Sequence, residues 1–118
     1  MDSKLLTLTT ELSQQDEAWT LTLTGFVNAS TAYLMWFTDK NQTLLEQMVD
    51  AGATSLVIDL SRTEGIDSHG LRLLIDAHRE FSEKNIQITL RSPNSHLSRL
   101  FRIMQFDRLF KIEPFDPA

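Results

Sequence analysis

No cysteine occurs anywhere in the 118-residue chain. That removes disulfide staples and thiolate metal sites together. Long apolar runs are missing too. No stretch approaches the roughly 20 residues that a membrane-crossing helix needs. The first residues also lack the basic-then-apolar pattern of a secretory signal, so the expected location is the cytoplasm. Positive charge is in deficit: 11 Lys and Arg against 16 Asp and Glu leave a net charge of −5. This is the wrong sign for nonspecific nucleic-acid binding, which relies on a basic surface. Glycine and proline are few, four and three, and they nowhere gather into a linker. No repeat or low-complexity tract divides the chain. Residues 1–118 read as one domain, large enough for its own core.

The usual marks of catalysis are also missing. There is no Gly-x-Ser-x-Gly elbow and no phosphate-binding loop of the Walker or dinucleotide type. The three histidines, His69, His78 and His96, are scattered without metal-ligand spacing. Asp67, Ser68 and His69 are adjacent, but neighbours at a helix start diverge by about 100° each, so adjacency does not make a triad. His78 falls on or beside a buried stripe and reads as a packed core histidine; His96 falls on an exposed side. Neither an enzyme, a cofactor nor a metal is expected.

What the chain does have is alternation. Leu6, Leu8, Thr10 and Leu12 alternate with Thr7, Thr9 and Glu11; Trp19, Leu21 and Leu23 alternate with threonines. These read as two strands of a hairpin joined by a polar turn over 13–17. Leu56 to Leu60 is a short apolar run suited to a central strand, and Ile86, Ile88 and Leu90 mark a later one. Three of these four strands are polar at alternate positions. A sheet covered on both faces would be apolar throughout, so the pattern predicts helices stacked mainly on one face.

Three helices complete the reading. The first is expected from about Ala29 or Ser30 to Asp50, stopped by Gly52, with a stripe of Leu34, Phe37, Asn41, Leu44, Leu45, Met48 and Val49. Trp36 then falls on the far side, either packed under a neighbouring loop or exposed at a partner or dimer surface. The second begins at Asp67 or Ser68 and buries Leu71, Leu74 and Ile75, with His78 and Phe81 or Ser82 continuing the stripe. The third follows a cap at Asn94 and buries Leu97, Leu100, Phe101 and Met104, with Phe106, Leu109, Phe110 and Ile112 extending the core. Residues 115–118 read as a loose tail.

The organising stretch is 56–71, a buried strand, a polar loop over 61–67, and a helix start carrying Ser68. A serine there has two uses. As a cap it contributes about 1 kcal/mol. As a phosphorylation target it would carry about −1.5 to −2 charge at a helix end that favours anions.

Ile66-Asp67-Ser68-His69-Gly70-Leu71, preceded by Val57-Ile58-Asp59-Leu60-Ser61, resembles the signature of the STAS family, the anti-sigma factor antagonists. The flanks agree: Gly25-Phe26-Val27-Asn28 with Thr31-Ala32 is similar to the family's early Gly-x-x-Asp and Thr-Ala, and Leu90-Arg91-Ser92-Pro93 with 100–110 is similar to its final strand and helix. Asn28 stands where the family usually has Asp, and His69 where a small residue is usual.

The resemblance implies a STAS-like α/β domain with a mixed, four- to five-stranded sheet. It implies an anti-sigma factor antagonist that binds a serine kinase, itself an anti-sigma regulator using ATP, while Ser68 is unphosphorylated. Phosphorylation of Ser68 would release the partner, and a PP2C-type phosphatase would reset the switch. The implied contact residues are Asn28, Thr63, Glu64, Asp67, Ser68, His69, Gly70 and Leu71; Trp36 is a candidate second contact surface on its helical position alone, and a homodimer stays open. Two alternatives remain within the family, an unphosphorylated scaffold and a subunit of a lipid-transport ATPase. An aspartate-phosphorylated receiver centred on Asp59 lacks the early acidic pair that would hold magnesium.

Overall fold

The structure, a computed structural model, describes residues 7–37 and 41–113. The sequence expectations at Leu6, at residues 38–40 of the first helix and in the tail 115–118 lie outside the described residues. β1 (Leu8–Gln15) and β2 (Ala18–Val27) form an antiparallel hairpin. Its turn is tighter than the polar run suggested: Gln15 pairs with Ala18, so only Asp16 and Glu17 lie outside the ladder. Asp16 takes φ 54°, a left-handed conformation that suits a two-residue hairpin turn and that Asp tolerates better than most residues.

β3 (Ser55–Asp59), β5 (Gln87–Arg91) and β6 (Lys111–Glu113) then add in parallel, giving the order β1-β2-β3-β5-β6. β4 (Thr63–Ile66) pairs with the far end of β2, at Gly25 to Val27, beyond the point where β3 has ended. Among the described residues the sheet therefore has six strands, more than the four or five expected. The two extra strands escape periodicity because they are short. β4 reads as a polar loop, and Lys111-Ile112-Glu113 carries a single apolar residue.

Alternation decides which face is buried. Trp19, Leu21, Leu23, Leu56, Ile58, Ile88 and Leu90 are buried in one cluster with the helices. Thr20, Thr22, Val57 and Asp59, pointing the other way, are only half-buried. The helices cover one face, as the alternating strands predicted.

The first helix departs from its expectation. A short 3-10 turn spans Ala32–Met35, and the α-helix proper, α1, spans only Leu44–Ala51. Polar side chains bond to nearby backbone ahead of the 3-10 turn and again at the start of α1. Asn28 Oδ1 accepts from the backbone N–H of Ser30 and Thr31, and Thr31 Oγ1 donates to the Phe26 carbonyl. Such local bonds compete with a helical ladder. Thr43 and Glu46 then form a capping box that starts α1 afresh. Gly52, at φ 74°, ends it as expected. The stripe changes accordingly. Met35 is buried, whereas Phe37, Asn41 and Val49 are exposed.

α2 (Ser68–Glu83) buries Gly70, Leu71, Leu74, Ala77 and Phe81. Its stripe is rotated from the expected one, and Ile75 is left 37% exposed. α3 (Ser95–Ile103) begins at Asn94, whose Oδ1 accepts from the Leu97 N–H. Met104 and Leu109 are surface residues, because Gln105 turns left-handed at φ 58° and ends the helix. Phe106 and Phe110 fold back into the core, Phe106 stacking on Phe101 at 5.2 Å between ring centroids. His78 is half-buried with its ring edge-on to Phe110 at 5.4 Å, a packed histidine as read from the pattern. His96 is exposed.

Candidate functional site

The site forms where three chain segments meet at the end of the sheet. β2 ends at Val27, β4 ends at Ile66, and α2 begins at Ser68, with Asp67 between them. Asp67 joins all three. Its N–H donates to the Val27 carbonyl at 2.9 Å. Its Oδ1 accepts from the Gly70 N–H at 3.0 Å, which makes it the N-cap of α2. Its Oδ2 accepts from the Ala29 N–H at 3.3 Å, 38 residues away in the chain. One carboxylate thus fixes the helix start and the loop that faces it.

This settles the two candidates for the cap. Asp67 fills that role, and Ser68 is the first residue inside the helix. Ser68 is exposed, and among the described residues its side chain makes no hydrogen bond. His69 is exposed beside it. No hydrogen bond links Asp67, Ser68 and His69 as a relay, and both carboxylate oxygens of Asp67 serve backbone N–H groups.

The remaining site residues divide into an outer set and a supporting set. Glu64 is exposed and Asn28 half-buried. Asn28 holds its own loop through Oδ1, so its amide replaces the usual carboxylate without loss of the turn. Thr63 is 2% exposed and donates through Oγ1 to the Leu23 carbonyl at 2.7 Å. Leu71 is buried in the core. Gly70 is needed for space: a Cβ there would lie 2.6 Å from Val27 Cγ1 and 2.7 Å from Ile66 Cγ2. Its absence lets α2 close onto the strand ends.

Two clefts flank the helix start. One, of about 340 Å³, is lined by Phe26, Asn28, Glu64, Asp67 and His96. The other, of about 480 Å³, lies between α2 and the end of α3 and is lined by Ser68, Leu71, Arg72, Ile75, Asp76 and Met104. His96, Met104 and the Ala29 amide were not assigned to the site from the sequence. Each reaches the site from another segment, and no local spacing announces it. Trp36 lies elsewhere. It is half-buried against the core, 5.7 Å from the Phe81 ring, and its neighbours Tyr33 and Phe37 are the exposed aromatics.

Among the described residues no group of three or more His, Asp or Glu side chains is placed to hold a metal ion. No described helix is long and apolar enough to cross a membrane.

Comparison with known proteins accords with this architecture. An anti-sigma factor antagonist from Mycobacterium paratuberculosis is 22% identical, with a TM-score of 0.71 over 93% of this chain and 88% of that one. A Thermotoga maritima protein described as a candidate anti-sigma factor antagonist is 22% identical, with a TM-score of 0.76 over 90% and 86%. The Bacillus cell fate determinant SpoIIAA, in its phosphorylated form, is 15% identical, with a TM-score of 0.64 over 88% and 90%. At these identities the likeness is one of fold. Among curated proteins, none matches the sequence. The family described as "Mlab, STAS domain" matches residues 10–113, nearly the whole described chain. With the Asp67–Leu71 signature placed at a strand-to-helix junction on a mixed sheet, the chain belongs to the STAS domain family.

Proposed function

We propose that this protein is a phosphorylation-switched anti-sigma factor antagonist. Its unmodified form binds an ATP-dependent serine kinase that is also an anti-sigma factor or comparable regulator, and binding displaces the kinase's other client. The kinase then transfers the γ-phosphoryl group of ATP to Ser68 Oγ. The hydroxyl proton passes to a base on the kinase, and ADP leaves. The added charge beside Asp67 weakens the interface by repulsion and desolvation. A PP2C-type phosphatase hydrolyses the phosphoserine and restores binding. The protein supplies an acceptor hydroxyl and a docking surface, not catalysis, and its expected place is the cytoplasm.

The observation that carries this reading is the division of labour between Asp67 and Ser68. A serine at a helix start is most simply a cap, but here Asp67 caps α2 and leaves the Ser68 hydroxyl exposed. Ser68 contributes nothing visible to the fold that a glycine or alanine would lack. The named relatives add support, since anti-sigma factor antagonists share the fold and one of them has been solved in both unphosphorylated and phosphorylated forms. In this reading Asn28, Glu64, Asp67, Ser68 and His69 form the contact surface. Thr63, Gly70 and Leu71 hold it from beneath, and Trp36 with its exposed aromatic neighbours offers a second surface for a partner or a second copy.

The test is intact mass after incubation with candidate serine kinases and ATP, with Ser68→Ala in parallel. The expected result is a gain of one phosphate that the variant lacks. Ser68→Ala is expected to stay bound to the kinase, and Ser68→Asp to bind at least tenfold more weakly. Ser68→Asp binding as well as the parent would sink the charge switch. No phosphate gain with any candidate kinase would favour the scaffold or transport-subunit alternative.

A further inference from the structure

The charged residue nearest the phosphoacceptor in the large cleft is Arg72, and the function above does not use it. Ser68 and Arg72 are separated by one helical turn, at i and i+4 on α2, and both line the cleft that Met104 closes from α3. Side chains at this spacing are neighbours, with Cβ atoms about 5–6 Å apart. Arg72 is exposed. Among the described residues it forms no ion pair, although Asp76 stands one turn further along the same helix; the ion pairs present are both made by Glu113. Its guanidinium is therefore uncommitted.

We infer that Arg72 is the internal counter-charge for a phosphoryl group on Ser68. The inference rests on Ser68 being the phosphoacceptor. A phosphoserine brings about −1.5 to −2 charge and three acceptor oxygens, and an arginine presents a planar fork of donors that matches them. The order of charges along the helix is also the favourable one, with the anion N-terminal to the cation. The other groups around the phosphate are placed differently. The Asp67 oxygens already accept backbone N–H groups, His69 is the next residue in the chain, and the α3 wall of the cleft contributes uncharged Met104.

The consequence is a second effect of phosphorylation. Drawn to the phosphate, the Arg72 side chain lies across the mouth of the cleft floored by Leu71 and Ile75. The modified protein thereby withdraws a cation and covers an apolar contact surface together. Phosphorylation changes the shape and the charge of the docking face in one step.

The test installs phosphoserine at position 68 during synthesis, so it needs no kinase and does not depend on the partner being found. Phosphorus NMR then follows the second ionisation of the phosphate with pH. In Arg72→Gln the midpoint is expected to rise by about 0.3 of a pH unit, the size of a solvent-exposed i, i+4 ion pair. Arg72→Lys is expected to recover much of the difference. Arg79→Gln, which removes the same charge further along the helix, is expected to leave the midpoint unmoved. An unchanged midpoint in Arg72→Gln, or an equal rise in Arg79→Gln, would overturn the inference. Failure of the kinase experiment would instead strike at Ser68 as acceptor, so the two results are separable.

Discussion

Two adjacent residues, Asp67 and Ser68, carry opposite structural burdens. Asp67 holds the helix start and the facing loop, so its loss is felt twice. Asp67→Ala is expected to cost about 1–2 kcal/mol, the upper part of the range for an N-cap, as read from urea denaturation. It should also free the Ala29 amide to exchange faster with solvent. Ser68→Ala is expected to change stability by less than about 0.5 kcal/mol, the usual scale for a surface substitution. Gly70 is limiting for a different reason. Because a Cβ there would overlap Val27 and Ile66, Gly70→Ala is expected to destabilise by about 1–3 kcal/mol, the typical cost of overpacking. A stable Gly70→Ala protein would show that α2 can slide outward from the strands.

At the scale of elements, α3 shows how a cap reaches beyond its own helix. Asn94 caps through Oδ1, while its Nδ2 donates to the Thr63 carbonyl of β4 at 3.2 Å. Asn94→Ala should cost about 1–2 kcal/mol and speed hydrogen exchange at the Leu97 amide. Asn94→Asp, which keeps the cap and loses the donor, should restore only the first part. The same scale separates what was legible in the chain from what was not. Elements that announce themselves by period were readable: the Leu21/Leu23 strand, the Ile88/Leu90 strand, and the amphipathic α2 and α3. Caps with a local signature were readable too, at Gly52 and Asn94. The break between Met35 and Leu44 was not, because positions 34, 37, 41, 44, 45 and 48, all apolar except Asn41, keep helical spacing across it. Thr43 starts α1 afresh by accepting from the Glu46 N–H, a preference that hydrophobic period does not register. β4 and β6 were hidden for another reason. Three or four residues are too few for alternation, and their pairing comes from distant strands. At the site, Ser68 and Asp67 were legible from a short signature. That Asp67 and not Ser68 caps α2, and that His96 and Met104 approach the site, could not be read from local spacing.

At the scale of the whole molecule, the site is a small surface on a large, well-buried core. A charge placed at Ser68 should leave the fold untouched. Ser68→Asp is expected to unfold at the same urea concentration as the parent or slightly higher, since an anion in the first helical turn gains about 0.3–1 kcal/mol. Its backbone amide shifts should be confined to 27–31 and to the first two turns of α2. Changes spreading into β5 or α3 would point to a global rearrangement instead of a local one.

β2 has a position in the sheet that no other strand shares: it pairs with β1, β3 and β4. This bears on the order in which the chain takes shape. The β1–β2 hairpin needs only local contacts and has all its residues by Val27. Parallel pairing must wait, because each partner returns from far along the chain, and such closure is intrinsically slow. The loop at Asn28 cannot find its anchor until Asp67 arrives beside it. A nascent chain truncated before β4 would therefore hold the hairpin and β3 but no junction between the Asn28 loop and Asp67. The junction of the Asn28 loop with Asp67 exists only once β4 has filled the part of β2 that β3 leaves unpaired, so a half-made molecule lacks the site altogether.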